Sequence, residues 1–128
     1  MNGGTARFLA KARRLLSEAE VIASVGLAEA AGRSAYLAGF HAAQALIFER
    51  DGRVLKTHNG VRGEFLRLTR NEALTDSRLR VFLSSAYNLK AIADYETGPG
   101  SEVSPERAAE AVATARDFVD AITKLVGP

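Results

Sequence analysis

Ser34-Ala-Tyr-Leu-Ala-Gly-Phe-His41-Ala-Ala-Gln-Ala-Leu-Ile-Phe48 is a run of small and apolar residues with one histidine near its centre. At helical spacing the run forms two apolar stripes on different faces. One stripe holds Ser34, Ala38, His41, Ala45 and Phe48, and the other holds Tyr36, Phe40, Ala43 and Ile47. Because a helix with two apolar faces is buried on both, this stretch predicts the central helix of a bundle.

The rest of the chain also has helical periodicity, and no segment alternates with the period of a strand. The predicted helices are residues 5–24, 27–50, 58–70, 76–96 and a last one that begins after Ser104 and ends before Gly127. Predicted caps are Thr5, Gly52, Thr57 and Ser104 followed by Pro105. The expected fold is all-α, an antiparallel up-and-down four-helix bundle in which helix 58–70 is an additional short helix across one end.

Composition is consistent with one globular domain covering residues 1–128. Of the 128 residues, 47% are hydrophobic and 25% are charged. The chain has no cysteine, which excludes disulfides and thiolate chemistry, and it has only two histidines without a nearby carboxylate pattern. We therefore expect no metal and no cofactor.

Neither a membrane span nor a signal peptide is predicted. The apolar run from Ala35 to Phe48 is too short to cross a bilayer. The basic residues near the N-terminus are followed by Glu18 and Glu20, where a signal peptide would have its apolar region. We expect an unprocessed, soluble, cytoplasmic protein without a membrane partner.

Charge is unevenly distributed along the chain. Residues 49–80 hold eight arginines and lysines against five acids, whereas residues 94–124 hold three against seven. The basic middle could form a phosphate-facing surface or an ordinary solvated face. The same two interpretations apply to a row of Arg7, Lys11 and Arg14 on the first helix.

Lys56-Thr57-His58-Asn59-Gly60, at the predicted start of the third helix, is one candidate site. With Thr57 as the cap, backbone N–H groups would point outward beside a lysine and a histidine, as a phosphate requires. The alternative is a capped helix start followed by an Asn-Gly turn. His41 also has two interpretations. It either forms a structural hydrogen bond with Gln44, one helical turn later, or belongs to a functional site.

A second candidate lies on the polar row of the fourth helix. Tyr87, Lys90 and Asp94 are spaced so that their side chains can meet, and Tyr95 follows. The row is either a ligand site or a surface ion pair of little energetic weight. Tyr36 and Tyr87 are either aromatic residues of the core or its boundary, or ligand contacts.

Three segments together resemble the small stand-alone form of the prokaryotic HEPN domain. They are residues 35–46, Lys56-Thr-His-Asn-Gly-Val61 and Ala93-Asp-Tyr95. The resemblance implies an antiparallel helical bundle that forms a homodimer. It also implies a minimal nucleotidyltransferase as partner and, for many members, activity as a metal-independent endoribonuclease toxin.

The resemblance also suggests residue roles. Ribonuclease members carry an arginine followed a few residues later by a histidine, and Arg53 and His58 have four residues between them. Arg33 and His41, with seven residues between them, do not match. Lys90 stands where the family usually has an arginine, and it lacks the planar fork of arginine. With His58 and Arg53 as catalytic candidates, the predicted phosphate- or nucleotide-binding set is Lys56, Thr57, Asn59, Lys90, Asp94, Tyr95, Tyr36 and His41.

Two function classes remain open. In the first, the chain binds RNA or nucleotide and cleaves RNA without a metal, as a toxin paired with a nucleotidyltransferase. His58 would exchange protons with ribose or leaving-group oxygens, and arginine would stabilise the phosphorane. In the second, the chain is a non-catalytic helical module that binds a nucleotidyltransferase, a second copy of itself or a nucleotide.

Overall fold

The computed structural model describes every residue from Met1 to Pro128. The chain forms an all-helical bundle without strands, which confirms the predicted fold class. Its helices are α1 (Gly3–Ser24), α2 (Ala28–Asp51), α3 (His58–Leu68), α4 (Ser77–Arg80), α5 (Phe82–Tyr95) and α6 (Pro105–Val126). None of these helices is both long and apolar enough to cross a membrane.

α2 is the central helix, as its sequence predicts. It packs against α1, α3, α5 and α6. From Ala31 to Ile47 every residue of α2 is buried except four. These four, Arg33, Leu37, Phe40 and His41, form a single stripe along which α2 reaches the surface. His41 is part of this stripe, and His58 of α3 lies beside it.

Two glycines of α2 let α5 approach closely. Gly39 faces the ring of Phe82, and a Cβ at this position would clash with that ring; Gly32 likewise faces Leu89. The two glycines are seven residues apart, and so are the two apolar residues that meet them. Because the first glycine meets the later apolar residue, α2 and α5 are antiparallel in a fixed register. Tyr36 of α2 therefore lies opposite Tyr87 of α5, with ring centroids 5.5 Å apart.

The caps agree with the sequence except at the first helix. Thr57 and Ser104 accept from Gly60 N and Arg107 N, each at 3.0 Å, and Gly52 ends α2 with φ 68°. The prediction that Thr5 caps α1 is wrong. Asn2 caps the helix by accepting from Thr5 N at 2.8 Å, and α1 begins earlier than predicted. Thr5 is buried in the first turn, where its hydroxyl bonds Glu49 Oε1 at 2.8 Å.

The single helix predicted over 76–96 is also wrong, because the chain breaks at Val81 into α4 and α5. Two arginines fix α4 to other elements. Arg78 bonds Thr114 and Asp117 of α6, and Arg80 bonds Thr69 Oγ1 and Leu66 O near the end of α3. These tertiary bonds hold α4 against α6 and the end of α3.

We expect Gly39→Ala to destabilise the fold. The added methyl overpacks the contact with Phe82 at a cost of about 1–3 kcal/mol, against a gain in helix propensity of about 1 kcal/mol. The matched control is Gly63→Ala in α3, where the added Cβ meets nothing within 4 Å and only the propensity gain applies. Urea unfolding measures both changes. Equal changes in the free energy of unfolding would contradict a close contact at Gly39.

Candidate functional site

A shallow depression lies where the start of α3 meets α2 and α5. We call it the His58 depression. It is lined by Tyr36, Leu37, Phe40, Lys56, His58, Tyr87 and Lys90. Four of the residues predicted as site residues from the sequence, namely Tyr36, Lys56, His58 and Lys90, therefore lie together, although they come from three different parts of the chain.

His58 is held by two tyrosines. Its ring stacks on Tyr87 with the centroids 3.9 Å apart and an interplanar angle of 18°. Its Nδ1 lies 2.8 Å from the hydroxyl of Tyr36, which is only 2% exposed. The ring is therefore fixed in orientation by a stack on one side and a hydrogen bond at one nitrogen.

The tautomer of His58 follows from its partner. Burial, and secondly the neighbouring Tyr87, raise the pKa of Tyr36 far above its usual value, so the phenol keeps its proton. Nδ1 of His58 is the one acceptor that the structure offers this buried proton, which favours the tautomer with the hydrogen of the neutral imidazole on Nε2. No buried side-chain nitrogen or oxygen lacks a partner, so the unpartnered Nε2 reaches the surface. His58 thus offers an N–H donor to a ligand.

His58 favours the neutral form. Burial lowers its pKa below the usual value, and the nearby charge of Arg62 lowers it further. Arg62 is held in place because its Nε donates to Ser84 Oγ at 2.5 Å. The sequence interpretation did not assign Arg62 to the site, since it follows His58 by one helical turn and looks like an ordinary surface residue.

Three charged residues form a cluster at the α5 side of the depression. Lys90 Nζ lies 2.8 Å from Asp94 Oδ2, and Arg33 Nε lies 2.7 Å from Asp94 Oδ1. Hydrogen bonds from Lys90 first, and then from Arg33, lower the pKa of Asp94, and the bond to Asp94 raises the pKa of Lys90. The Lys90–Asp94 ion pair, one of the two interpretations that the sequence left open, is present, and the role of both residues in ligand binding stays a prediction. Because two cations share one carboxylate, the cluster keeps a net positive charge.

Arg33 was missing from the predicted site. It is the only Asp, Glu, Lys or Arg between Ala31 and Phe48, which is the signal that could have found it. Tyr95, a predicted site residue, is 76% exposed and lies beside the cluster, with Lys90 Nζ 5.7 Å from its ring centroid.

Arg53 is not brought to His58. Its guanidinium lies 3.4 Å from Asp51 Oδ2 and 3.3 Å from Glu64 Oε1, and it does not line the depression. The catalytic pairing of Arg53 with His58 stays a prediction. Thr57 uses its hydroxyl to cap α3 at Gly60 N, and Asn59 is exposed beside it.

His41 lies outside the His58 depression. Its Nδ1 is 2.7 Å from Gln44 Oε1, so the local partner that the sequence allows is present. Burial lowers its pKa as well. Elsewhere in the molecule, no group of three His, Asp or Glu side chains lies close enough together to hold a metal ion.

Comparison with known families agrees with this architecture. The model of the HEPN domain family matches residues 5–125, which is nearly the whole chain. The chain therefore belongs to the HEPN domain family. A search of curated proteins finds no match.

We expect His58 to titrate below the usual histidine pKa of about 6.5. Arg62→Gln should raise this pKa by removing a positive neighbour, whereas Arg70→Gln, which removes an exposed arginine without a bonded partner, should not. Proton NMR of the imidazole over a pH series measures the pKa of His58 in the wild type and in both variants. A His58 pKa that is the same in the wild type and Arg62→Gln would contradict the proposed influence of Arg62.

The same pKa predicts how stability depends on pH. A histidine whose pKa is lower in the folded chain than in the unfolded chain binds fewer protons when folded. Its contribution to the free energy of unfolding is therefore complete above about pH 6.5 and is lost as the pH falls below that value. His41 acts in the same direction. Urea unfolding between pH 7.5 and pH 5 should show the free energy of unfolding falling, and falling less steeply in Arg62→Gln.

Proposed function

We propose that this HEPN-domain protein binds a phosphate group of RNA or of a nucleotide in the His58 depression. The observation that carries the proposal is the fixed imidazole, whose Nε2–H reaches the surface in a depression that two lysines also line. A neutral N–H donor beside ammonium groups fits an anionic phosphate oxygen.

Charge and aromatic surface support this ligand. Lys56 is exposed and forms no ion pair, so its full charge is available. Lys90 and Arg33 together outweigh Asp94 by one positive charge. Tyr87 is 39% exposed, so its ring also offers apolar surface that a base could contact.

Cleavage of RNA is a second proposal, supported by family membership. With Nε2 already protonated, neutral His58 cannot accept the proton of a ribose 2′-hydroxyl. Only its imidazolium form could give a proton to the departing oxygen, and the lowered pKa makes that form scarce at neutral pH. The favoured tautomer and the lowered pKa of His58 therefore support binding more than catalysis.

Family membership also supports the proposal that the chain acts as a homodimer and as the toxin partner of a minimal nucleotidyltransferase. Expressing the chain alone should then arrest growth, and co-expression of the nucleotidyltransferase should relieve the arrest. Growth unaffected by strong expression of the folded protein would contradict the toxin role without affecting the proposed phosphate binding.

Lys56→Ala should weaken binding of a fluorescein-labelled single-stranded RNA about three- to tenfold, because one phosphate contact is lost. The slope of log affinity against log salt should become shallower by about 0.7. Lys124→Ala is the matched control, since it removes an exposed lysine of α6 outside the depression. Fluorescence anisotropy measures both. Equal effects of the two changes would contradict a site at Lys56.

His58→Ala should abolish any RNA cleavage while the protein remains folded by circular dichroism. Incubation with a panel of structured and unstructured RNAs in the presence of EDTA tests this. If the wild type cleaves none of them, the catalytic proposal is wrong. If His58→Ala cleaves as fast as the wild type, His58 is not the catalytic group.

A further inference from the structure

His41 has a tautomer fixed by its neighbours. The buried Gln44 donates through Nε2 to Leu55 O at 2.7 Å, which orients its amide. Its Oε1 then faces His41 Nδ1, also at 2.7 Å. Because an amide oxygen only accepts, the hydrogen of neutral His41 must lie on Nδ1. Nε2 therefore carries a free lone pair, the opposite arrangement to that of His58.

The lone pair of His41 is accessible. Nε2 forms no hydrogen bond, and no unpartnered side-chain nitrogen in the molecule is buried. His41 also lies on the one stripe along which α2 reaches the surface. A ligand that approaches this stripe meets a hydrogen-bond acceptor whose orientation is already set.

Two cations of α1 lie close enough to His41 for their charges to act on its imidazole. The bonds of Thr5 to Glu49, at 2.8 Å, and of Ser34 to Leu15 O, at 3.0 Å, fix α1 and α2 in antiparallel register. That register brings the part of α1 that holds Lys11 and Arg14 alongside the His41 end of α2, and both charges lower the pKa of the imidazole. Neither Lys11 nor Arg14 forms an ion pair.

An aromatic cleft adjoins Lys11. It has a volume of about 320 Å³ and is lined by Gly4, Arg7, Phe8, Lys11, Phe48 and Val54. The rings of Phe8 and Phe48 are half-buried, with centroids 6.0 Å apart. Gly4 allows this arrangement, because a side chain there would clash with the ring of Phe48. The cleft thus offers apolar aromatic surface beside a cation.

We propose that the His41 face binds the ribose-phosphate backbone of single-stranded RNA and selects it over DNA. The ribose 2′-hydroxyl donates to Nε2 of His41, the adjacent phosphate contacts Lys11 and Arg14, and a base occupies the Phe8–Phe48 cleft. DNA offers the phosphate and the base but no 2′-hydroxyl, and so it leaves the acceptor unused. This site does not depend on His58, and it goes beyond phosphate binding by naming the sugar.

The test compares three fluorescein-labelled decamers of one sequence, as RNA, as DNA and as 2′-fluoro RNA, by fluorescence anisotropy. The 2′-fluoro sugar cannot donate a hydrogen bond. We expect the wild type to bind RNA about three- to tenfold more tightly than either analogue. His41→Leu should remove this preference by lowering the affinity for RNA to that for the two analogues. Combined Lys11→Ala and Arg14→Ala should weaken binding of all three strands.

Equal affinity of the wild type for RNA and 2′-fluoro RNA would overturn the proposal, without any need for a variant to fold. A preference for RNA that survives in folded His41→Leu would overturn it too. The result is separable from the function of the His58 depression. If Lys56→Ala weakens RNA binding and the wild type does not distinguish the sugars, the His58 proposal stands and this one falls.

Discussion

The close approach of α2 and α5 at Gly32 and Gly39 is the constraint on which the rest of the molecule depends. A helix with side chains at these positions would be held farther from Leu89 and Phe82. The glycines fix both the spacing and the register of the two helices. Tyr36 and Tyr87 are thereby brought together, and both contact the ring of His58 at the start of α3, one through a hydrogen bond and the other through stacking. The packing of the core and the geometry of the candidate site therefore have the same origin.

The hydrogen-bond partners of the two histidines leave different groups of their rings available to a ligand. A phenol donates to His58, which leaves a donor at the surface, whereas an amide oxygen accepts from His41, which leaves an acceptor. Burial and neighbouring cations favour the neutral form of both rings. A chain of phosphates and ribose hydroxyls offers both kinds of partner. An RNA that runs along the surface stripe of α2 would meet complementary groups on each side of it.

The fold was predictable because its determinants are local and periodic. Apolar stripes, Thr57, Ser104 and the glycine at position 52 each predicted an element or a cap that the structure contains. The break at Val81 was not predicted, because the periodicity of 76–96 is continuous and does not report the bonds that Arg78 and Arg80 beside it make to distant segments. The site was only partly predictable for the same reason. Spacing on one helix indicated Lys90 with Asp94, but Arg33 joins that pair from 61 residues away along the chain, and Arg53 was paired by spacing with a histidine that it does not contact.

The most direct test of this account is the distance between the rings of His58 and Tyr87, measured by nuclear Overhauser effects in the wild type, Gly39→Ala and Gly63→Ala. We predict strong effects between the two rings in the wild type and in Gly63→Ala. The effects should weaken in Gly39→Ala, because a wider spacing of α2 and α5 disrupts the contacts of His58 with Tyr36 and Tyr87. Equally strong effects in all three proteins, or no effect in the wild type, would contradict the claim that the glycine contact builds the site.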